Sequence, residues 1–236
     1  MSLDFAHIQK TSLIDYPGEV SSTLFTVGCN MRCPFCHNRS LVIPEEFPPQ
    51  RVSAEQALTE LSRRQSYVGA VVITGGEPTI HPELPWFISS LKEQGFLTKL
   101  DTNGTNPEML SELYSAGALD YVAMDIKSSL EDYEEAAGSE VDIASIKESA
   151  DIIRSSGVAY EFRTTVVPGL HDLQKMGEIG KWLKGSSLYI LQAFSSKGGT
   201  LEPSFMSKKP FNEAELRALA DAARPYFEEV RLREYY

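Results

Sequence analysis

Three cysteines, the only ones in the chain, stand close together in the segment "FTVGCNMRCPFCHN" (25–38). Cys29, Cys33 and Cys36 offer thiolates, which are soft ligands that suit zinc or iron–sulfur clusters. A structural zinc site takes four ligands, usually from two separated pairs, and no second cysteine pair follows here. A cubane [4Fe–4S] cluster held by three thiolates instead leaves one iron open to an external ligand. The spacing favours an open cluster, and a zinc site completed by a histidine is the alternative.

Further polar residues follow later strand candidates, and the carboxyl ends of parallel strands gather at one rim of a sheet. The turn "TGGEPT" (74–79) combines paired glycines, which allow close backbone approach to a ligand, with a carboxylate that can accept hydrogen bonds from an ammonium group. Taken singly, each of these residues also suits a structural role, such as an ion pair or a capping acid. Together they suit a zwitterionic ligand, and the candidates are Gly75, Gly76, Glu77, Asp101, Thr102, Asp125, Lys127 and Arg163.

Short β-rich runs alternate with helical stretches along the chain. Strands are predicted for 21–28, 70–75, 97–102, 120–127, 160–167, 187–194 and 227–234. Several of them are nearly continuous apolar runs, which is typical of parallel strands covered on both faces. Helices are predicted for 53–65, 82–94, 106–117, 143–156, 172–184 and 212–224. The alternation implies right-handed βαβ units and a parallel sheet, open or curled toward a barrel.

Boundary residues support two of these helices and a turn before the sheet. Ser53 and Gln56 have the spacing of a capping box, and Asn106 followed by Pro107 marks a helix start. The segment "YPGE" (16–19) is a turn signal and predicts a small N-terminal hairpin. With no repeat or linker in between, the sequence predicts one domain over 1–236, with a hairpin at about 1–19, a core at about 20–195, and a C-terminal helix and strand at about 196–236.

The chain has 236 residues and a formal net charge of −11. This length can bury a substantial core. The acidic balance argues against nucleic acid as the main partner, because phosphate binding needs basic patches. The N-terminal segment lacks the basic and apolar regions of a secretory signal, and no apolar run approaches the roughly 18 residues that span a bilayer. We therefore expect a cytoplasmic protein without a membrane segment, in which clustered thiols stay reduced.

Several of these segments resemble known motifs. "CNMRCPFC" fits the C-x3-C-x2-C signature of the radical S-adenosylmethionine (SAM) enzymes, and "GGEP" resembles their motif for the amino group of methionine. "KTSLIDYPG", "CPFCHN", "DTNG", "MDIK" and "VVPG" resemble glycyl-radical-enzyme activases, both the pyruvate formate-lyase type and, more closely, the activating proteins of anaerobic ribonucleoside-triphosphate reductase. This resemblance, from about residue 8 to about residue 195, implies an α/β fold with a partial (β/α)6 TIM-type barrel of parallel strands, a short N-terminal hairpin and a C-terminal extension.

The resemblance also implies how cofactors would be held. Cys29, Cys33 and Cys36 would ligate a [4Fe–4S] cluster, and its remaining iron would bind the amino and carboxylate groups of SAM. Reductive cleavage of SAM would give methionine and a 5′-deoxyadenosyl radical, chemistry that the cofactors carry while the protein orients and shields them. The other implied assignments are Gly75, Gly76 and Glu77 to the amino group, Lys127 to the carboxylate, Phe35 and His37 to the adenine, Arg163 to SAM as a ligand-facing arginine, and Asp101, Thr102 and Asp125 to SAM and a monovalent cation. Gln192 stands where related activases often have a histidine, so the adenine contact on that side is left open.

An activase of this kind would take a hydrogen atom from a glycine Cα of a partner enzyme. The favoured partner is anaerobic ribonucleoside-triphosphate reductase, and the electron would come from a donor such as flavodoxin or ferredoxin. One alternative is an activase of another glycyl radical enzyme, and a second is a radical SAM enzyme acting on a small molecule, like the 7-carboxy-7-deazaguanine synthases. The residues "CHN" after the cluster motif favour the activases. A non-catalytic zinc-binding module is the alternative from a different class.

Overall fold

The computed structural model describes residues 3–197 and 199–233. The strands in this part of the chain are β1 (Asp4–Ser12), β2 (Ser21–Thr26), β3 (Val52–Ser53), β4 (Ala70–Gly75), β5 (Leu97–Thr102), β6 (Tyr121–Asp125), β7 (Ala159–Val166), β8 (Leu188–Ala193) and β9 (Glu229–Arg233). The helices are α1 (Arg39–Val42), α2 (Ala54–Ser62), α3 (Leu84–Glu93), α4 (Pro107–Ser115), α5 (Tyr133–Ala137), α6 (Ile143–Ser155), α7 (Leu173–Trp182) and α8 (Glu213–Ala223). Short 3₁₀ turns lie at Pro44–Glu46, Pro78–Ile80, Pro203–Ser207 and Arg224–Tyr226.

The described strands form one nine-stranded sheet in the order β3-β1-β2-β4-β5-β6-β7-β8-β9. From β2 to β9 every neighbouring pair is parallel, because helical segments carry the chain back along the outside between strands. β1 and β3 run antiparallel at one edge. The predicted parallel α/β fold with a partial barrel is confirmed. β9 adds one more parallel strand beside β8, and β3 and β9 remain separate edges, so the barrel is not closed.

The N-terminal hairpin extends further along the chain than the predicted segment, because its second strand is β2 itself. β1 and β2 pair antiparallel, and the predicted "YPGE" turn lies between them. In this turn the N–H of Glu19 donates to the carbonyl of Tyr16 (3.4 Å). The hairpin therefore leads directly into the first parallel strand, and the cysteine loop follows the carboxyl end of that strand.

Both predicted helix starts are present. At α2 the N–H of Gln56 donates to Oγ of Ser53 (3.3 Å), and the N–H of Ser53 donates to Oε1 of Gln56 (3.0 Å). At α4 the N–H of Met109 donates to Oδ1 of Asn106 (3.1 Å), and Pro107 is the first helical residue. Such caps satisfy backbone donors that the first helical turn leaves without a partner. The cap at α4 sets the length of the loop after β5, and the last two residues of β5, Asp101 and Thr102, are predicted site residues.

The two faces of the parallel sheet differ in chemistry. The outer face packs against the helices through a continuous apolar core. On the inner face the two-residue period of a strand brings charged side chains together: Lys99 and Asp101 on β5, Asp125 on β6, and Glu161 and Arg163 on β7. In the register of β6 and β7, Asp125 lies opposite Arg163. The interior of the partial barrel is therefore a place where ionic groups meet.

None of the helices within the described residues combines the length and the apolar composition needed to cross a lipid bilayer. The longest of them, α6, has 13 residues, whereas a spanning helix needs about 20.

Candidate active site

The cysteine loop follows the carboxyl end of β2, and its backbone N–H groups donate hydrogen bonds to two helices. Gly28 has a φ of 92°, which glycine adopts without strain, and its N–H donates to the carbonyl of Leu41 in α1 (2.7 Å). Further along the loop, the N–H of Arg32 donates to the carbonyl of Ala137 at the end of α5 (2.9 Å). The loop that carries the three thiols is therefore held in a defined conformation.

The chain beyond β8 covers this loop, a contact that no sequence motif indicated. The N–H of Leu201 donates to the carbonyl of Cys36 (2.7 Å), and the N–H of Glu202 donates to the carbonyl of Pro34 (2.9 Å). Nη1 of Arg39 donates in turn to the carbonyl of Leu201 (3.0 Å). The C-terminal extension thus contacts the cysteine loop through backbone groups and shields its outer side.

Burial opposes ionisation of the three thiols. Cys33 is buried, and Cys29 and Cys36 are half-buried. Desolvation raises the pKa of Cys29 to about 12 and the pKa of Cys33 to about 11, and it also raises the pKa of Cys36. Thiolates persist in such surroundings only beside positive charge, which bound metal ions supply. A metal ion bound at this loop would supply the positive charge that holds the three sulfur atoms as thiolates.

Every predicted site residue lines one cavity of about 150 Å³ at the carboxyl ends of the parallel strands. These residues are Cys29, Cys33, Phe35, Cys36, His37, Gly75, Gly76, Glu77, Asp101, Thr102, Asp125, Lys127 and Arg163. Sequence reasoning missed further lining residues, namely Met31, Asn38, Val42, Thr74, Asn103 and Thr165. Gln192 is not among the lining residues that the structure describes. Thr165, which lies opposite Gln192 in the register of β7 and β8, does line the cavity. The individual contacts to SAM stay predictions.

The Gly75-Gly76 turn packs against the start of the cysteine loop at backbone distance. The N–H of Gly76 donates to the carbonyl of Thr26 (3.0 Å), and the N–H of Glu77 donates to the carbonyl of Gly28 (2.8 Å). A Cβ atom on either glycine would overlap backbone atoms of Thr26 or Gly28. These two N–H groups are therefore used within the protein, and they fix the turn against the cysteine loop.

The carboxylate of Glu77 is buried and accepts four hydrogen bonds from the protein. Oε1 accepts from the N–H and Oγ1 of Thr79 (3.1 and 2.6 Å) and from Oγ1 of Thr102 (2.7 Å). Oε2 accepts from the N–H of Asn103 (2.6 Å). Burial raises the pKa of Glu77, and the four donors act against that rise. Through these hydrogen bonds Glu77 connects the end of β4 with the end of β5.

Four charged side chains form an ionic row across β5, β6 and β7. Nη1 of Arg163 lies 3.0 Å from Oδ2 of Asp101, and its Nε lies 2.9 Å from Oδ1 of Asp125. Nζ of Lys127 lies 3.2 Å from Oδ2 of Asp125. Burial alone would raise the pKa of Asp125, but Arg163 and Lys127 outweigh it and lower that pKa to about 2. Both cations also line the cavity, so they offer positive charge to an anionic ligand group.

His171, which is conceivable as a fourth zinc ligand, is hydrogen-bonded elsewhere in the protein. Nδ1 of His171 accepts from the N–H of Val167 (3.0 Å), so its Nε2 carries the proton and donates to the carbonyl of Lys127 (2.8 Å). His171 therefore fixes the backbone at Lys127, a role that no sequence signal indicated. Across residues 3–197 and 199–233, no three His, Cys, Asp or Glu side chains are placed to hold a single metal ion. This geometry does not favour the zinc alternative.

A comparison with known families decides the class of protein. The profile of the Radical SAM superfamily matches residues 23–182. The chain belongs to the radical SAM superfamily. It is 35% identical over 232 residues to a Methanocaldococcus jannaschii protein provisionally named a glycyl-radical enzyme activating enzyme, which covers 96% of this chain and 94% of that protein. It is 36% identical over 78 residues to the 7-carboxy-7-deazaguanine synthase of Aquifex aeolicus, which covers 33% of each chain.

A solved structure shows the same radical SAM fold. SuiB of Streptococcus suis, bound to S-adenosylmethionine, matches with a TM-score of 0.68 at 16% identity, over 88% of this chain and 48% of that one. The superfamily implied by the resemblance of "CNMRCPFC" and "GGEP" to its motifs is confirmed, and with it an enzyme whose cofactors are a [4Fe–4S] cluster and SAM.

The cavity of this radical SAM enzyme fits those cofactors chemically. It presents three thiols on one loop, the Gly75-Gly76 turn beside them, and two cationic side chains. Soft sulfur ligands suit iron, and cations suit the carboxylate of an amino acid. The residues of the cavity therefore match both the [4Fe–4S] cluster and SAM.

Proposed function

We propose that this radical SAM enzyme activates a glycyl-radical enzyme. The observation that carries the proposal is the full-length similarity to the Methanocaldococcus jannaschii protein named for that activity, in contrast to the one-third match to a deazaguanine synthase. The open barrel supports it as well, because β3 and β9 are separate edges and a polypeptide loop needs a wide approach to the rim. A backbone glycine, which is uncharged, also fits as substrate in a cavity whose charged residues pair with one another.

The residues of the cavity would share the work of holding the cofactors. Cys29, Cys33 and Cys36 would ligate the cluster, and the Gly75-Gly76 turn would receive the amino group of SAM. When bound, the cluster and SAM together supply the radical that takes a hydrogen atom from the glycine Cα of the partner. The protein orients these groups and excludes solvent, and the C-terminal segment at Leu201 covers the cysteine loop from outside.

Lys127 would bind the carboxylate of SAM directly, and Arg163 would act next to it. Arg163 is 8% exposed and bridges two carboxylates, so its main effect would be to hold Asp125, which in turn orients Lys127. Phe35 and His37 line the same cavity and would flank the adenine.

For the protein partner we favour anaerobic ribonucleoside-triphosphate reductase, with flavodoxin or ferredoxin as the electron donor. The support for this finer assignment is the set of segments "KTSLIDYPG", "CPFCHN" and "VVPG". The test is to mix the reduced, reconstituted enzyme with SAM and with each candidate glycyl radical enzyme under anaerobic conditions. A glycyl doublet in the electron paramagnetic resonance spectrum with the ribonucleotide reductase is the expected result. A doublet with another candidate would reassign the partner, and none with any candidate would refute the activase proposal.

Replacing Lys127 by methionine should weaken SAM binding while the cluster still assembles. A hydrogen bond to a charged group contributes about 1.5–3 kcal/mol, which corresponds to a rise in Kd of roughly ten- to hundredfold. The measurement is calorimetric titration of reconstituted enzyme with SAM. Lys175→Met is a matched control, because Lys175 pairs with Asp132 at the same 3.2 Å and its side chain is similarly exposed (18% against 16%), yet it does not line the cavity. Equal affinities in the two variants would remove the proposed role of Lys127.

A further inference from the structure

A buried lysine lies inside the partial barrel, beneath the ionic row of the active site. Lys99 of β5 is 2% exposed, and its Nζ lies 2.9 Å from Oδ1 of Asp101. Its other contacts are the carbonyl of Asp15, to which Nζ donates (2.8 Å), and the ring of Tyr121, whose centroid is 5.7 Å away. A buried ammonium is costly unless it is paired, and here it is held from three sides.

The N-terminal turn supplies part of this enclosure. Tyr16 of the "KTSLIDYPG" segment is buried against Ala70, Val72 and Tyr121, and the carbonyl of its neighbour Asp15 accepts from Lys99. This segment resembles the activases, but it lines no part of the candidate active site. The "KTSLIDYPG" segment instead packs inside the barrel next to Lys99 and helps to hold the ammonium group beside Asp101.

Every carboxylate oxygen of Asp101 and Asp125 lies within ion-pair distance of a cationic side chain, although Oδ1 of Asp101 accepts no well-directed hydrogen bond from the described residues. The two oxygens of Asp101 face Lys99 and Arg163, at 2.9 and 3.0 Å. The two oxygens of Asp125 face Arg163 and Lys127, at 2.9 and 3.2 Å.

The third implied cation ligand is used within the protein as well. Oγ1 of Thr102 donates to Glu77 and accepts from the N–H of Gly104 (3.1 Å). The row continues on β7 and β9, where Glu161 lies 3.8 Å from Arg163 and 3.5 Å from Arg233. Among these described side chains, four are cationic (Lys99, Lys127, Arg163 and Arg233) and three are carboxylates (Asp101, Asp125 and Glu161). A sodium or potassium ion does not fit such a place, because it would meet the positive charge of Lys99, Arg163 or Lys127 at each carboxylate oxygen of Asp101 and Asp125.

We propose that the ammonium of Lys99 takes the place of the monovalent cation that the resemblance implied at Asp101, Thr102 and Asp125. Lys99 and Arg163 together neutralise Asp101, so Arg163 can hold Asp125, and Asp125 can hold Lys127 toward the carboxylate of SAM. Lys99 is a positioning residue in this scheme, because it acts through three other side chains. The inference rests on the proposed SAM site and is independent of which protein partner is activated.

The test is the affinity of the reconstituted enzyme for SAM in chloride salts of sodium, potassium and choline at equal ionic strength. For the unaltered enzyme we expect Kd values that agree within about twofold, because no metal cation is required. Lys99→Met keeps most of the side-chain volume and removes the charge. In choline chloride its Kd should rise about tenfold or more, and sodium or potassium should recover most of that loss by entering beside Asp101.

Two further variants keep the test decisive. Lys99→Gln removes the charge but can still donate to the carbonyl of Asp15, and it serves if the methionine variant does not remain folded. Lys92→Met is the control, since Lys92 pairs with Asp120 at 2.6 Å outside the cavity and should show no cation dependence.

The possible results separate this inference from the function on which it rests. A tenfold or greater loss of SAM affinity of the unaltered enzyme in choline would overturn the inference. So would a Lys99 variant whose affinity is unchanged, or one whose lost affinity no salt restores, because the lysine would then have only a structural role. Failure of the unaltered enzyme to bind SAM in any salt would instead count against the proposed SAM site itself.

Discussion

Cys33→Ala is expected to abolish cluster assembly and SAM cleavage while leaving the fold intact. Cys33 is the most buried of the three thiols, in a loop fixed by the backbone bonds of Gly28 and Arg32, so removing one sulfur atom leaves those bonds in place. A cluster with only two protein thiolates loses one of the soft sulfur ligands that suit iron, and the chain has no fourth cysteine to replace it. Iron and sulfide content and the visible thiolate–iron absorption after anaerobic reconstitution measure assembly, and thermal unfolding by circular dichroism measures the fold.

The control for this variant is Met31→Leu. Met31 is also buried in the cysteine loop and lines the cavity, and leucine conserves its volume, so the cluster should assemble normally. A Cys33→Ala protein that still holds a full cluster and cleaves SAM would show that the ligand assignment is wrong. Loss of the cluster in both variants would mean that loop packing, and not the thiol, is what matters.

Gly76→Ala should disrupt the active site strongly, although it adds only one methyl group. The new Cβ would overlap the carbonyl oxygen of Gly28 and lie 3.2 Å from that of Leu41, and backbone atoms cannot rotate away as a side chain can. The Gly75-Gly76 turn and the cysteine loop must then separate, which breaks the bond from the N–H of Glu77 to Gly28. We expect a loss of about 1–3 kcal/mol in the free energy of unfolding and a rise in the Kd for SAM of at least about tenfold.

Gly177→Ala is the matched control for the glycine variant. Gly177 lies within α7, and a Cβ built on it meets no atom within 4 Å. Alanine there should stabilise the protein by about 0.5–1 kcal/mol and leave SAM binding unchanged, because it lowers the entropy lost by a helical glycine on folding. Equal melting temperatures and equal SAM affinities of the two alanine variants would contradict the argument from close packing.

Most of the fold was predictable because its signals are local. Helix starts depend on residues three positions apart, as at Ser53 and Gln56, and strands are marked by short apolar runs between turn signals. Helix α5 escaped prediction because its five residues are too few to show a period. The left-handed Gly138 that ends it, with a φ of 62°, was the available signal.

The site was predictable as a list of residues but not as a set of contacts. Parallel strands bring their carboxyl ends to one rim, so residues after each strand could be assigned to one place without knowing distances. Glu77 is expected to face an ammonium group, and the structure adds that its carboxylate also accepts hydrogen bonds from Thr79, Thr102 and Asn103. No local pattern indicated that His171 fixes the backbone at Lys127.

The sequence by itself determined the class of chemistry, because three thiols at fixed spacing on one short loop are a local property of the chain. Only the tertiary structure decided how the charges pair. Arg163 is 62 residues from Asp101 and 38 from Asp125, and they meet because the register of β5, β6 and β7 aligns them inside the barrel. Coulomb interactions depend on distance in space and on burial, neither of which can be read from separation along the chain. The proposed positioning role of Lys99 depends on tertiary contacts in the same way. Lys99 stands two residues before Asp101, but its other hydrogen-bond partner is Asp15, 84 residues away along the chain.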